Sequence, residues 1–352
     1  MKDFSDIFPD PSYEQWLKSA EKETGKKVNA WEPYQAIKLL PLYIKKQTPY
    51  SFHLPSKNKK FIIRENQVQT IEQAKQAMEL GAEGVMIDER SPDISNIVNY
   101  CTSKASIHIK AGQTASAILA QPEGRLLITN TGSFIYNLAQ ENTEDMAKDF
   151  ASNISFAKDT PFRLLEIRYT ATANEEQDPA EELAILLHEA MEIIYKLQQK
   201  NIATDIILKH LSFSVSLSNK FFLSLAKIRA LLYLWKEISQ QYSSNPTTVP
   251  IHGYTTRIKG TAEQHYILLS NTIQVMSGIA GGCDSVEIEK LEKHENISDY
   301  NRNIGHLLHH EAFFNKQPDP GAGSYYIEQA TKAIFEKALK IMKEKKNASR
   351  LK

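Results

Sequence analysis

Cysteine is almost missing from this chain: its 352 residues include two, Cys101 and Cys283, and no C-x-x-C pair. That excludes a disulfide framework and a thiolate zinc site, and two free thiols suit a reducing cytoplasm. Net charge is missing as well. Lys+Arg and Asp+Glu both number 42, so no overall field draws the chain to nucleic acid or to an anionic membrane. The lysine runs at 57–60 and 343–346 are short and read as solvated ends. No apolar run approaches the ~18 residues that a membrane-spanning helix needs. The opening MKDFSDIFPDPSYEQW lacks the basic start and apolar stretch of a secretion signal. No G-x-G-x-x-G follows any strand candidate, which removes the usual dinucleotide fingerprint. These absences lead to the expectation of a soluble cytoplasmic protein without nucleic-acid or membrane partners.

What is present is a core-forming composition, 41% hydrophobic, and a rhythm. From residue 61 short apolar runs alternate with longer helical patterns. The runs are FIIRE (61–65), GVMIDE (84–89), SIHIK (106–110), RLLITN (125–130), RLLEIRY (163–169), LSFSVS (211–216), VPIHGY (249–254) and DSVEIE (284–289). Eight strand candidates alternating with helices predict an α/β fold, a (β/α)8 TIM barrel, over residues 56–346. The first 55 residues lack this rhythm. Ser12 followed by YEQWLKSAEKETG predicts a capped helix ending near Gly25; the remainder, rich in aromatic residues and proline, reads as an arm for subunit interaction.

Active sites of such barrels collect at the C-terminal ends of the strands. The groups predicted there are Arg64, Glu65, Asp88, Glu89, His108, Lys110, Asn130, Arg168, Tyr169, Thr170, Ser216, His252, Tyr254 and Glu287. They make either an altered, vestigial pocket or a ring of charges that pair with one another and close the mouth. His306 and His310 share a helix face at i, i+4, but without an H-E-x-x-H pattern no metal site is expected. Lys227 and Arg229 are two apart on a helix and so point to different faces. Glu181 and Glu182 suit a helix N-terminus electrostatically and need no catalytic role.

Several ordered segments carry a family resemblance: VNAWEPYQAIKLLPLY, FIIRENQVQTIEQAKQAMELGAEGVMIDE, FFLSLAKIRALLYLW at 221–235, AGGCDSVEI, NRNIGHLLHHEA and DPGAGSYYIE at 319–328. Together they resemble the coenzyme-B12-dependent methylmalonyl-CoA mutase family, most of all its small, non-catalytic subunit. Lys227, Arg229, Asp319, Gly323 and Tyr325 stand at the family-motif positions. The resemblance implies an isomerase family and a heterodimer with a catalytic large subunit; the isolated chain either stays single or pairs with its own copy.

Departures from the family pattern bear on activity. Where catalytic chains carry Gly-Tyr-His, whose histidine holds the substrate thioester carbonyl, this sequence reads RYTATANEEQD, with Thr170 in the histidine's place if Tyr169 matches the tyrosine. IHGYTTRIKG keeps His252 but has Tyr254 for a glutamine. The Arg/Tyr-rich coenzyme-A thread is missing between residues 50 and 64. The family's cobalt-ligand motif Asp-x-His-x-x-Gly does not occur, so adenosylcobalamin is expected only on a partner chain, with no cobalamin-binding domain here. The resemblance therefore implies no catalytic residue in this chain. The alternative is the acyl-CoA-binding barrel of a split mutase, completed by a separate cobalamin-binding chain.

Overall fold

Eight parallel strands close on themselves in a computed structural model of the chain, which describes residues 12–44, 61–110, 115–120, 122–170, 177–243, 248–256, 263–288, 295–314 and 316–350. The strands are β3 (Ile62–Val68), β4 (Gly84–Asp88), β5 (Ser106–Lys110), β6 (Gly132–Asn137), β7 (Phe162–Arg168), β8 (Leu211–Leu217), β9 (Ile251–Thr255) and β10 (Ser285–Glu287). β10 pairs with β3 to complete the ring. This is the (β/α)8 barrel that the strand–helix alternation predicts.

Each strand divides its side chains by the period of two. In β8 Phe213, Val215 and Leu217 join the apolar layer beneath the helices, while the alternating positions Ser212, Ser214 and Ser216 are small and polar. The outer layer closes by aromatic packing, as where Phe213 meets Trp235 edge-on with ring centres 5.1 Å apart.

The helices that follow the strands are α2 (Ile71–Glu79), α3 (Ile94–Cys101), α4 (Ala115–Ala120), α5 (Pro122–Leu127), α6 (Thr143–Ala157), α7 (Pro179–Gln199), α8 (Thr204–Lys209), α9 (Phe221–Ser239), α10 (Gln264–Gly281), α11 (Glu295–His310) and α12 (Tyr325–Arg350). Local chemistry sets several of their starts. Thr70 and Gln73 form a reciprocal capping box at α2, and Asp178 accepts from Ala180 N ahead of Pro179 at the head of α7. No described helix is long and apolar enough to cross a membrane.

One strand assignment fails. The run 125–130 is not a strand: Arg125, Leu126 and Leu127 end α5, and the chain turns at Thr129 and Asn130 before β6 begins at Gly132. Pro122 suits the first turn of a helix. Gly132 enters the barrel so close to β5 that a Cβ there would lie 1.9 Å from the Ile107 carbonyl oxygen, so glycine is required where that strand starts. Asn130 consequently sits at the opposite end of the strand layer from the mouth, holding Ser103 N through its Oδ1 at 2.9 Å.

Of the N-terminal arm, residues 12–44 are described. Helix α1 (Tyr13–Thr24) begins with a complete Ser12–Gln15 capping box, ends at Gly25 in the left-handed region, and buries none of its residues. A hairpin follows, β1 (Trp31–Tyr34) against β2 (Ile37–Leu39). Ile37 and Leu39 are buried in the main apolar core, and Lys337 of α12 donates to the Gln35 carbonyl and to Asp178 Oδ2. The hairpin is therefore fastened to the outside of the barrel.

Candidate functional site

An aliphatic filling of bulky branched residues is usual inside such barrels; here the bore is charged. Glu166 projects from β7, fully buried, and all its acceptor capacity is used. Arg64 Nη1 on β3 donates to both of its oxygens at 2.9 and 3.0 Å. Ser214 Oγ donates to Oε1 and Ser133 Oγ to Oε2, each at 2.5 Å. Since β3 and β7 stand opposite each other in the ring, the Arg64–Glu166 pair spans the bore.

The hydrogen bonds fix the histidine tautomers. Ser133 spends its proton on Glu166, so His108 Nδ1 donates to Ser133 Oγ at 2.8 Å and His108 Nε2, 3.0 Å from Ser106 Oγ, is left as the acceptor. On the other side, His252 Nε2 donates to the Glu287 carboxylate at 3.2 Å, and its Nδ1 accepts from Ser285 Oγ at 3.0 Å. Both rings are neutral. Burial, reinforced by the Arg64 charge, holds His108 well below the ordinary histidine range and brings His252 down to about 4.

The carboxylates are ionised despite their burial. For Glu166 the desolvation that would raise its pKa is overcome by the Arg64 charge, which leaves it well below the usual range. For Glu287 desolvation is outweighed by Arg168, with the His252 hydrogen bond second, and its pKa falls to about 2. Arg168 Nη2 reaches Glu287 at 3.0 Å. The same guanidinium lies 3.8 Å from the centre of the Tyr254 ring, a cation–π contact. Tyr254 Oη in turn donates to the Tyr169 carbonyl at 2.8 Å.

Of the residues picked from sequence, Arg64 thus pairs with Glu166, while Arg168, His252, Tyr254 and Glu287 form a neighbouring cluster that Tyr169 touches through its backbone. Asp88 stands apart from these contacts, while Thr170 meets Tyr254 at their edge. Asp88 is half-buried at the end of β4 and accepts from Arg90 N at 2.9 Å. Thr170 is exposed, its N–H 3.3 Å from Asn137 Oδ1.

The motif residues of α9 form two further buried clusters. Lys227 Nζ bonds Glu182 Oε2 at 2.6 Å, Ser216 O at 2.5 Å and Ser216 Oγ at 2.9 Å. Glu182 also accepts from Ser216 N and Oγ, both at 2.7 Å. Arg229 is fully buried and pairs with Asp319 and, at 2.8 Å, with Glu328. Gly323, in the left-handed region at φ 78°, gives its N–H to the same Glu328 carboxylate at 3.2 Å. Tyr325, which opens α12, is exposed. The segments 221–235 and 319–328 are therefore physically joined, the arginine of one pairing with both carboxylates of the other.

Sequence reasoning missed Glu166 and Glu182. A lone carboxylate within RLLEIR, on the same strand face as Arg168, is the signal for the first. Glu182 offered none beyond its place in a helix start, because its role arises where α7, β8 and α9 meet. The histidine pair on α11 stacks, His306 to His310, with ring centres 6.1 Å apart, and among the described residues no group of three or more potential ligands could hold a metal ion.

Comparison with known proteins fits this architecture. A family profile described as methylmalonyl-CoA mutase matches residues 136–348. The methylmalonyl-CoA mutase small subunit of Porphyromonas gingivalis is 28% identical over 196 residues, covering 53% of this chain and 32% of that protein. The methylmalonyl-CoA mutase of Rhizobium meliloti is 28% identical over 47% of this chain and 24% of its own length. The large subunit from Porphyromonas gingivalis is 26% identical over 46% of this chain and 24% of its own length. The match thus spans about a third or less of these relatives. A dihydropteroate synthase from Xanthomonas albilineans aligns over 72% of this chain and 94% of its own at 12% identity and a TM-score of 0.42, too loose a likeness for any inference.

Proposed function

This chain belongs to the methylmalonyl-CoA mutase family, and from that premise we propose that it is a small-subunit-type barrel: a non-catalytic partner of a catalytic large subunit in the B12-dependent interconversion of methylmalonyl-CoA and succinyl-CoA. The observation that carries the reading is the Arg64–Glu166 pair across the bore, capped by Arg168 on the Tyr254 ring. An acyl thioester threading the barrel would have to break both buried ion pairs, and an uncompensated buried charge costs several kcal/mol. Where the resemblance expects a donor to the thioester carbonyl, the chain has the exposed Thr170; where it expects glutamine, Tyr254 already donates within the protein.

The residues present do not suit the corrin cofactor. The sequence contains no Asp-x-His-x-x-Gly, and both bore histidines are bonded on each ring nitrogen to the protein. In this reading adenosylcobalamin resides on the large subunit and no step runs through it here.

Calorimetric titration of the purified chain with methylmalonyl-CoA, and then with adenosylcobalamin, tests the proposal. The expected outcome is no saturable heat for either and no isomerase turnover. Copurification with a large subunit that then turns over with one active site per heterodimer would support it. Turnover from this barrel once a separate cobalamin-binding chain is added would overturn it in favour of a split mutase.

A further inference from the structure

Helix α10 departs from the usual division of polar and apolar faces. Facing the barrel it buries polar residues at helical spacing: Ser270, Gln274 and Ser277. Gln274 is fully engaged there, its Oε1 accepting from Thr256 N at 2.7 Å and its Nε2 donating to Asn219 Oδ1 and Thr256 O, each at 3.2 Å, and to Ser270 Oγ at 3.0 Å. Facing outward are apolar residues. Tyr266 is 53% and Leu269 57% exposed, and Ile273 and Met276 continue the stripe half-buried.

Solvent-facing helices ordinarily carry charge on that side. The eighteen residues of α10 include no Asp, Glu, Lys or Arg, unlike every other described helix of twelve residues or more. The barrel itself does not need this stripe, since α10 is already seated by Val275, Ile279 and the Gln274 hydrogen bonds. No described helix is long and apolar enough to cross a membrane.

We infer that the outer face of α10 is a self-association surface, on which a second copy of this chain packs its own α10 antiparallel about a two-fold axis. Two features favour a second copy as the occupant. The face is uncharged, so its complement is another uncharged face, and a face meeting its own copy leaves no charge buried alone. The stripe is also symmetric about position 271. Positions 266 and 276 lie equally far from it, as do 269 and 273, so antiparallel pairing sets Tyr266 against the partner's Met276 and Leu269 against the partner's Ile273. The spacing of three and four residues is that of a two-helix seam. This inference does not depend on the catalytic or non-catalytic character of the bore.

Sedimentation equilibrium of the intact chain across about 1–100 μM, a range that displays a mass-action dimer, is the first test. A species of twice the 40.0 kDa chain mass is expected. Leu269→Glu places a charge in the seam and should weaken the dimer about tenfold or more, with an unchanged circular dichroism spectrum. Tyr195→Glu, at a position equally exposed on α7, should leave the dimer intact. Register is tested by mixing Leu269→Cys chains with Ile273→Cys chains: mild oxidation should link the mixture more readily than either variant alone, the native cysteines being buried. A monomer throughout the range, a dimer indifferent to Leu269→Glu, or a mixture that links no better than the separate variants would each overturn the inference. Dimerisation that occurs only with a mutase large subunit would do so as well.

Discussion

In the bore of this barrel the interior is ionic, with Arg64, Glu166, Arg168 and Glu287 buried among serines and two neutral histidines; on α10 the exterior is apolar, with tyrosine and leucine facing solvent and glutamine facing the barrel. Each region has the polarity that the other would ordinarily have, and the comparison separates two ways in which a chain treats buried polar groups. The bore compensates charge with charge. Its acids already hold their counter-ions, whereas α10 leaves an uncompensated apolar face that another apolar surface would cover.

The comparison breaks most visibly if the bore loses its central acid. Glu166→Ala would leave Arg64 buried without its counter-ion and strip Ser133 and Ser214 of their acceptor. A loss of about 3–5 kcal/mol in the free energy of unfolding is expected, read from denaturant curves. Glu166→Gln keeps the side-chain volume and one acceptor oxygen and should lose less. Equal losses from the two substitutions would mean that the missing charge accounts for the whole effect, and no loss from Glu166→Gln would mean that the charge contributes nothing.

Acid should act on the bore next. His252, held at about 4 by burial and then by Arg64, is folded in its neutral form. Its contribution is complete above the unfolded histidine value near 6.5 and is lost as pH falls toward 4. Glu287, at about 2, contributes fully above the unfolded carboxylate range and loses that contribution as pH falls from about 4.5 toward 2. Both run in one direction, so stability should drop on the order of 2–3 kcal/mol between pH 7 and pH 4. His252→Asn should flatten the upper part of that profile; a profile that stays equally steep there would remove His252 as its source.

The smallest effect belongs to the inner side of α10. Gln274→Ala deletes the group that ties Thr256 and Asn219 to the helix and should cost about 1–3 kcal/mol, measured on the monomer at low protein concentration. No loss at all would mean that Gln274 does not help to seat α10.

How far the site was legible follows the same division. Arg64, Arg168, His252, Tyr254 and Glu287 could be picked from sequence because each ends a recognisable strand run, and the period of two places them on one side of it. That Arg168 meets Glu287 rather than Glu166 could not be read there, since it depends on stagger and on which strands face each other. Leu126, Leu127 and Ile128 look like a strand because a short apolar run has no periodicity of its own; the close approach of Gly132 to Ile107 places the strand later. The hairpin at 31–39 was also missed, because four- and three-residue strands joined through Ala36 at φ 61° carry almost no pattern.

The sequence by itself determined the barrel, through eight strand–helix alternations that admit few closed solutions, and the family, through ordered segments such as FFLSLAKIRALLYLW and DPGAGSYYIE. It also carried the caps of α1, α2 and α7, whose hydrogen bonds join residues within a few positions of one another. Only the tertiary structure decided that Arg64 pairs with Glu166 and Arg168 with Glu287, that Arg229 joins the two signature segments through Asp319 and Glu328, and that α10 turns its glutamine inward. The physical reason is distance along the chain. Arg64 and Glu166 lie 102 residues apart, and Arg229 and Glu328 lie 99 apart, so no local preference brings them together, and the closure of the ring does.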